Sequence, residues 1–517
     1  MAECAIGRTK KGGKRKEKMF ERITPEAAGI SSAAVAKFIR KIESRGAIMH
    51  SLLLVRHGKV FAEHYWAPFN ENSLQRMYSQ TKSYTALAIG LLEEEGKLSL
   101  DDKIADLFPE KIDGEIGKHI KELTVRNMLT MTTSGGPHNW FLEGDPDRTH
   151  NYFNNRDFDR ASGTFWKYDS AGSQVLCALA EKLSGMKLID YLREKVFNKV
   201  GTFKNARVLM CANNDSWGDS ALLCTTRDMA SGGQLLMQGG KWNGEQLINE
   251  RFVKDACSAL VNNRTNWCRH ALDSEGYGYQ IWRAPENGFA FVGMGDQLTI
   301  CLPDKDFMFV CTANHQAPAE AGEKPIRTML INAVYDFIYD NLGDEPLPED
   351  ETAYNAYLKE FSNLELACIK GKEDSPLREK INGVTYACEP NPLGWTKFTF
   401  NFKDKTEGEL HYTNAQGDKV MPFGINKNAY GYFPQLGYSN EHGTVETTDG
   451  FMYKDAVALS WMDDNKLIVE VKIIDTYLGT CSGVFGFSGD YAAAHFEKAA
   501  EHFLDEYQGE IAAKAVK

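Results

Sequence analysis

No segment of this sequence carries the ~20 consecutive apolar residues that a membrane-spanning helix needs, which excludes a helical membrane protein. Positive charge is not in excess either: 59 Lys and Arg stand against 71 Asp and Glu, a formal net charge of -12. A dedicated nucleic-acid binder leans the other way. The 11 cysteines are odd in number and scattered, and none forms a Cys-x-x-Cys pair. A zinc ribbon and a thioredoxin-like site therefore lack support. Gly-x-Ser-x-Gly and His-Glu-x-x-His are both absent, which removes the usual nucleophile elbow and zinc-protease helix. Gly12-Gly13-Lys14 fails the spacing of a phosphate-binding loop. There is no internal repeat of 20–50 residues.

What is present is ordinary for a soluble globular chain: 43% hydrophobic and 25% charged residues over 517 positions. That length predicts two or three domains. Residues 1–18 hold the cluster Lys10, Lys11, Lys14, Arg15, Lys16 and Lys18 without an apolar face, and read as a solvated tail. No apolar run follows these charges, so the segment does not read as a secretory signal. Cys177, Cys224, Cys301 and Cys311 lie in apolar stretches and read as buried thiols in a reducing cytoplasm. His50, His57 and His64 recur every seven residues, a spacing without metal-ligand logic.

Thr24-Pro25-Glu26 predicts the start of a helix running to about residue 44. Residues 49–55 and 60–65 predict a hairpin turned at Arg56-His57-Gly58-Lys59. Residues 79–95 predict a helix, 100–280 mostly short helices and loops, and 289–292, 297–302 and 307–312 three strands. A long helix is expected over 325–342. The expected class is α+β: an antiparallel sheet flanked by helices, with an all-helical subdomain, over 19–345. Gly343-Asp344-Glu345-Pro346-Leu347-Pro348 reads as a boundary. Residues 346–517 then predict an antiparallel β domain, a small barrel or sandwich, closed by a helix over 491–515. That domain is expected either to cover a cleft or to mediate self-association.

One window carries chemistry. Ser79 stands at a helix start and Lys82 three residues on, which puts both side chains on one face. A serine hydroxyl attacks well only when a base takes its proton. A neutral lysine can be that base, and a helix N-terminus suits a developing oxyanion. Ser184-Gly185-Met186-Lys187 repeats the spacing, but Gly185 there reads as a helix terminator. Tyr168, in Lys167-Tyr168-Asp169-Ser170, sits before a predicted helix and reads either as a proton relay or as a packed aromatic. Val292-Gly293-Met294-Gly295 places glycines at a strand end, a close approach for a ligand or a simple turn. Asn139-Trp140-Phe141 reads as cleft lining or surface loop.

Taken in this order, the three motifs resemble the serine β-lactamase and penicillin-binding-protein superfamily, on its class C-like, esterase-rich branch. Leu98-Ser99-Leu100-Asp101-Asp102, Thr226-Arg227-Asp228 and Tyr277-Gly278-Tyr279-Gln280 agree with it. The resemblance covers about residues 20–342. It implies Ser79 as the acylated nucleophile, Lys82 as its proton acceptor and Tyr168 as the proton shuttle to the leaving group. The N–H groups of Ser79 and Met294, the latter just after Gly293, would form the oxyanion hole, and Ser170 would take the place of the second motif's Asn or Ser. No metal or organic cofactor is implied. Where the family carries Lys or His in the third motif, this chain has Phe291. That loss argues against carboxylate-bearing substrates and for neutral esters or amides. The function expected is a serine hydrolase of small esters or amides. D-amino-acid peptidase or weak β-lactamase activity is the enzymatic alternative, and a non-catalytic binding or sensor protein the alternative of another class. Expected partners are small molecules and a second copy of the chain, with no nucleic acid and no membrane.

Overall fold

Between residues 56 and 59 His57 has φ 51° and Gly58 φ 68°. Two successive left-handed residues make the turn that matches the twist of its strands, so β1 (Met49–Arg56) and β2 (Lys59–Tyr65) pair as the expected hairpin. The computed structural model describes residues 20–135, 146–155, 159–264, 272, 274–316, 325–435, 452–500 and 506–516. The window at Asn139-Trp140-Phe141 lies outside them.

Four strands from the far end of the first region extend the hairpin: β3 (Trp282–Arg283), β4 (Phe289–Gly293), β5 (Gln297–Leu302) and β6 (Phe307–Ala313). The sheet order is β2-β1-β6-β5-β4-β3, antiparallel throughout. Every residue of β1 is buried because both faces are covered. Leu53 and Val55 pack toward helix α4 (Thr226–Met237) and the helical block, while Leu52 and Leu54 pack toward α1 (Ser32–Glu43) and α5 (Ile326–Ala333). Each fully buried aliphatic side chain of this kind contributes about 1.5–3 kcal/mol.

Two expectations are corrected. The helix expected from Thr24 breaks into a 3-10 turn, Glu26–Ala28, and the separate α1. Gly29, at φ 84°, ends the turn, and Ser31 caps α1 by accepting the Ala34 N–H. The break admits Arg56, whose Nη1 donates to the Ala28 and Gly343 carbonyls at 2.6 Å each. The helix expected over 491–515 is instead two strands, Tyr491–Ala500 and Gly509–Ala515. Alanine, glutamate and lysine there favour a helix. Burial nevertheless alternates, with Ala492, Ala494 and Phe496 inside and Ala493, His495 and Glu497 exposed. Pairing with Leu478–Ser488 overrides the propensity.

Between the two halves of the sheet run α2 (Thr81–Glu94) and α3 (Ser170–Ser184). Helix α2 is buried from Thr81 to Leu92. Asp169 caps α3 by accepting the Gly172 N–H, and Gly185 at φ 72° ends it. The second Ser-x-x-Lys match therefore sits at a helix stop, where Lys187 pairs with Glu181 at 3.1 Å.

After the 3-10 and π turns that prolong α5 to Asn341, α6 (Glu351–Glu360) docks Tyr357 on the core beneath α1. The chain then forms a sheet from Thr385 to Ala515 that closes into a barrel where Gly424–Ile425 pairs in parallel with Ala458–Leu459. Its interior is filled by aromatic side chains, among them Trp395, Phe398, Phe400, Phe485 and Trp461. Among the described residues no helix is long and apolar enough to cross a membrane. Cys177, Cys224, Cys301 and Cys311 are buried free thiols.

Candidate active site

Ser79 occupies a 3-10 turn, Tyr78–Gln80, that runs directly into α2. The i, i+3 spacing then does what the sequence predicts: Lys82 Nζ donates to Ser79 Oγ at 3.0 Å. The two environments differ. Ser79 is half-buried, while Lys82 is 1% exposed. Lys82 also donates to the Asp219 carbonyl at 2.7 Å and stands 3.5 Å from that residue's carboxylate. Asp219 is as buried as the lysine. Burial pushes its carboxyl above the usual range, against the opposing pull of Lys82, Arg148 and Arg76.

Tyr168 arrives from the entrance of α3, half-buried, with its ring centroid 5.2 Å from Lys82 Nζ. It meets the lysine through its ring face; among the described residues its hydroxyl makes no hydrogen bond to Ser79 or Lys82. The ring is held by stacking on Trp282, with centroids 5.9 Å apart and 24° between planes. Asp169 fixes the backbone beside it, taking the Gly172 N–H and the Thr133 hydroxyl at 2.8 Å each. Ser170 is the half-buried first residue of α3 and makes no side-chain hydrogen bond to Ser79, Lys82 or Tyr168.

Gly293 ends β4 against the Tyr78–Gln80 turn. A Cβ there would lie 2.2 Å from the Met77 carbonyl oxygen, so only glycine fits. Gln80 binds the same seam, its Nε2 donating to the Phe291 and Gln297 carbonyls at 3.3 and 3.4 Å. Met294 follows as a side chain 37% exposed. Phe291 points into the core, edge-on to Tyr84. The charge near this strand end comes from elsewhere. Arg327, on α5, donates to the Gly293 carbonyl at 3.0 Å and to the buried Asp296 carboxylate. His315 contacts the other oxygen of Asp296 at 2.8 Å. Burial would raise the Asp296 carboxyl, but Arg327 and His315 outweigh it and hold the group below its usual range.

Sequence reasoning missed Asp219 and Arg327. Asp219 lies 137 positions from Lys82 in an Asn- and Asp-rich loop, and no local pattern marks it. Arg327 is one of many basic residues at a helix start. Gln280, within a motif already noted, proves a hub: it accepts from Ser83 and Ser173 at 2.7 Å each and donates to the Met128 carbonyl at 2.8 Å, joining α2, α3 and the 128–129 turn. The three hairpin histidines go to separate partners, Gln75, Asp306 and Tyr357. Among the described residues no three His, Cys, Asp or Glu side chains gather as a metal site.

The arrangement offers a partly exposed hydroxyl beside a buried amine, an aromatic hydroxyl-bearing ring against that amine, and a strand end packed against the Tyr78–Gln80 turn. The comparisons with known proteins fit it. A family model described as Beta-lactamase matches residues 35–333. A 6-aminohexanoate-dimer hydrolase of Paenarthrobacter ureafaciens is 23% identical over 271 residues, 49% of this chain and 67% of that one. Penicillin-binding protein 4* of Bacillus subtilis (strain 168) is 32% identical over 147 residues, 26% of this chain and 30% of that one. The matched length is thus about two thirds of the first relative and under a third of the second. A solved Bacillus anthracis structure, provisionally assigned as a 6-aminohexanoate-dimer hydrolase, superposes with TM-score 0.50 at 18% identity, over 65% of this chain and 90% of that one. At that identity the likeness shows the fold.

Proposed function

Because the chain belongs to the Beta-lactamase family, we propose that it is a serine hydrolase that cleaves a small ester or amide through an acyl-enzyme on Ser79. The observation that carries the reading is the 3.0 Å hydrogen bond from the buried Lys82 Nζ to Ser79 Oγ.

In this mechanism Ser79 Oγ attacks the substrate carbonyl carbon while its proton passes to Lys82, present as the free amine at that step. The carbonyl oxygen becomes an oxyanion, held by the N–H groups of Ser79 and Met294. The bond to the leaving group breaks, and the leaving oxygen or nitrogen takes the proton by way of Tyr168. Water then attacks the acyl carbon, giving its proton to the same Lys82–Tyr168 pair. The acid departs and Ser79 regains its hydrogen.

Neutral acyl groups fit this site best. Phe291 presents no charge, and the nearby cation Arg327 is already neutralised by Asp296. The relative named as a dimer hydrolase supports amide substrates as well as esters.

The test is labelling with a fluorophosphonate probe, location of the adduct by mass spectrometry, and turnover of p-nitrophenyl esters, the matching anilides and nitrocefin. An adduct on Ser79, with turnover lost in Ser79→Ala and Lys82→Ala, is expected. Labelling elsewhere or full activity in Ser79→Ala rejects the mechanism. Faster turnover of nitrocefin than of esters rejects the substrate class. No labelling and no turnover favours a binding protein.

A further inference from the structure

The residue before the candidate nucleophile is a tyrosine in a conformation that tyrosine avoids. Tyr78 has φ 46° and is 1% exposed. A left-handed backbone at a bulky residue costs on the order of 1–3 kcal/mol and persists where surrounding contacts impose it. One of the contacts at Tyr78 comes from the other end of the chain. The Leu478 N–H donates to the Tyr78 hydroxyl at 2.9 Å, across 400 positions. Leu478 opens the barrel strand Leu478–Ser488, just after the turn that follows Lys466–Ile474.

The other backbone polar group of Leu478 is also occupied. Its carbonyl accepts from Gln316 Nε2 at 3.2 Å, and Thr480 accepts from Asn314 Nδ2 at 3.3 Å. Residues 313–316 are in turn fastened to the strand end that carries Gly293 and Met294. Gln297 Nε2 donates to both the Met294 and Ala313 carbonyls, at 3.1 and 2.6 Å. The His315 N–H donates to the Gly295 carbonyl at 3.2 Å. One residue of the barrel, through its N–H and its carbonyl, therefore ties the Tyr78–Gln80 turn on one side to the Gly293–Met294 turn on the other. Next to it, the Arg76 guanidinium lies 4.4 Å from the Tyr78 ring centroid and 4.7 Å from that of the buried Tyr477. This adds a cation–π contact between the same two segments.

We propose that the 475–480 turn of the C-terminal barrel is a working part of the active site, clasping the Ser79 and Met294 backbones at the separation an oxyanion needs, with Tyr78 and Gln316 as positioning residues. The inference rests on the reading of Ser79 as nucleophile. An oxyanion site works through donors fixed before the reaction, and small displacements of such groups cost large factors in rate. In this chain part of that fixation comes from a barrel some 400 residues downstream, so hydrolysis depends on the whole chain.

The experiment uses the full-length chain. Tyr78→Phe keeps the ring and its Arg76 contact but removes the acceptor of the Leu478 N–H. Gln316→Ala releases the carbonyl of the same residue. Measured are the rate of fluorophosphonate labelling at Ser79, kcat and KM for a p-nitrophenyl ester, and the thermal melt. Each variant is expected to lower labelling rate and kcat about tenfold, with KM and Tm close to those of the parent. The double variant is expected to lose less than the product of the single losses, because both act through the backbone of one residue, Leu478. Parental labelling rates in both single variants overturn the proposal. So does a loss of rate that only follows a loss of folded protein in both. Absence of labelling in the parent chain, by contrast, defeats the nucleophile assignment itself.

Discussion

Lys82 and Asp219 face each other in the interior, 1% exposed each, with Lys82 Nζ 2.7 Å from the Asp219 carbonyl oxygen and 3.5 Å from its carboxylate. One residue thus supplies both a dipole and a charge to the same ammonium or amine. Because the shorter contact is to backbone, a side-chain change at 219 leaves it standing. The carboxylate is the variable part.

Removing one partner of a buried charged pair leaves the other desolvated and unpaired, which costs roughly 3–5 kcal/mol. Lys82→Met is therefore expected to lower stability by about 3 kcal/mol in urea unfolding at pH 7. Lys82→Met with Asp219→Asn is expected to recover part of it, because the carboxylate that lost its nearest cation is gone while Arg148 and Arg76 lose its pull. Equal stabilities for the single and double variants would show that the two groups do not compensate each other.

Tyr168 offers a cleaner separation of roles. Its ring stacks on Trp282 and faces Lys82 whether or not the hydroxyl is present. Tyr168→Phe should then fold and melt as the parent does, while kcat for a p-nitrophenyl ester falls by about 10²–10⁴, the range for loss of a general acid–base group. Trp282→Ala tests the support. It is expected to give a smaller loss, about tenfold, with the pH profile unchanged. Wild-type kcat in Tyr168→Phe would remove the tyrosine from the proton path.

The contrast between these residues explains what could be read in advance. Ser79 and Lys82 are three positions apart, so helical periodicity alone brings them together. The β1–β2 hairpin is equally local, written in His57 and Gly58. Asp219 and Arg327 reach the site only through tertiary packing, and the partner of the Tyr78 hydroxyl lies 400 residues away. The 491–515 region shows the opposite hazard. Its composition states a local preference for helix that the barrel overrules by offering Leu478–Ser488 as a partner strand.

Arg327 is expected to matter for the frame more than for the substrate. Asp296 is fully buried and depends on Arg327 and His315 for its negative charge. Arg327→Met removes one of those partners and the donor to the Gly293 carbonyl. A loss of about 3 kcal/mol at pH 7 is expected. Arg327→Met with Asp296→Asn should regain part of that stability but not the catalytic rate, because the Gly293 carbonyl still lacks its donor. If the double variant regained full rate, the anchoring of Gly293 would be immaterial.

Asp455 sets a pH dependence of stability far from the site. It shares the inward face of the barrel strand Lys454–Trp461 with Val457 and Leu459, and is 2% exposed. One oxygen, Oδ2, has no hydrogen-bond partner among the described residues. Burial pushes its carboxyl up from 3.8 to about 7, against hydrogen bonds from the Gly431 and Asp455 backbone. The folded chain therefore keeps a proton on Asp455 over a range in which the unfolded chain has lost it. The folded state binds more protons between pH 3.8 and about 7, so stability from this group is complete below that window and declines as pH rises through it. Asp455→Asn holds the uncharged form at every pH. Relative to the parent it should gain little at pH 4 and roughly 4 kcal/mol at pH 8, one pKa unit being worth about 1.4 kcal/mol. Urea unfolding at the two pH values measures the difference. An equal effect at both, or a loss at pH 8, would mean that the carboxylate has a partner inside the barrel and ionises without penalty.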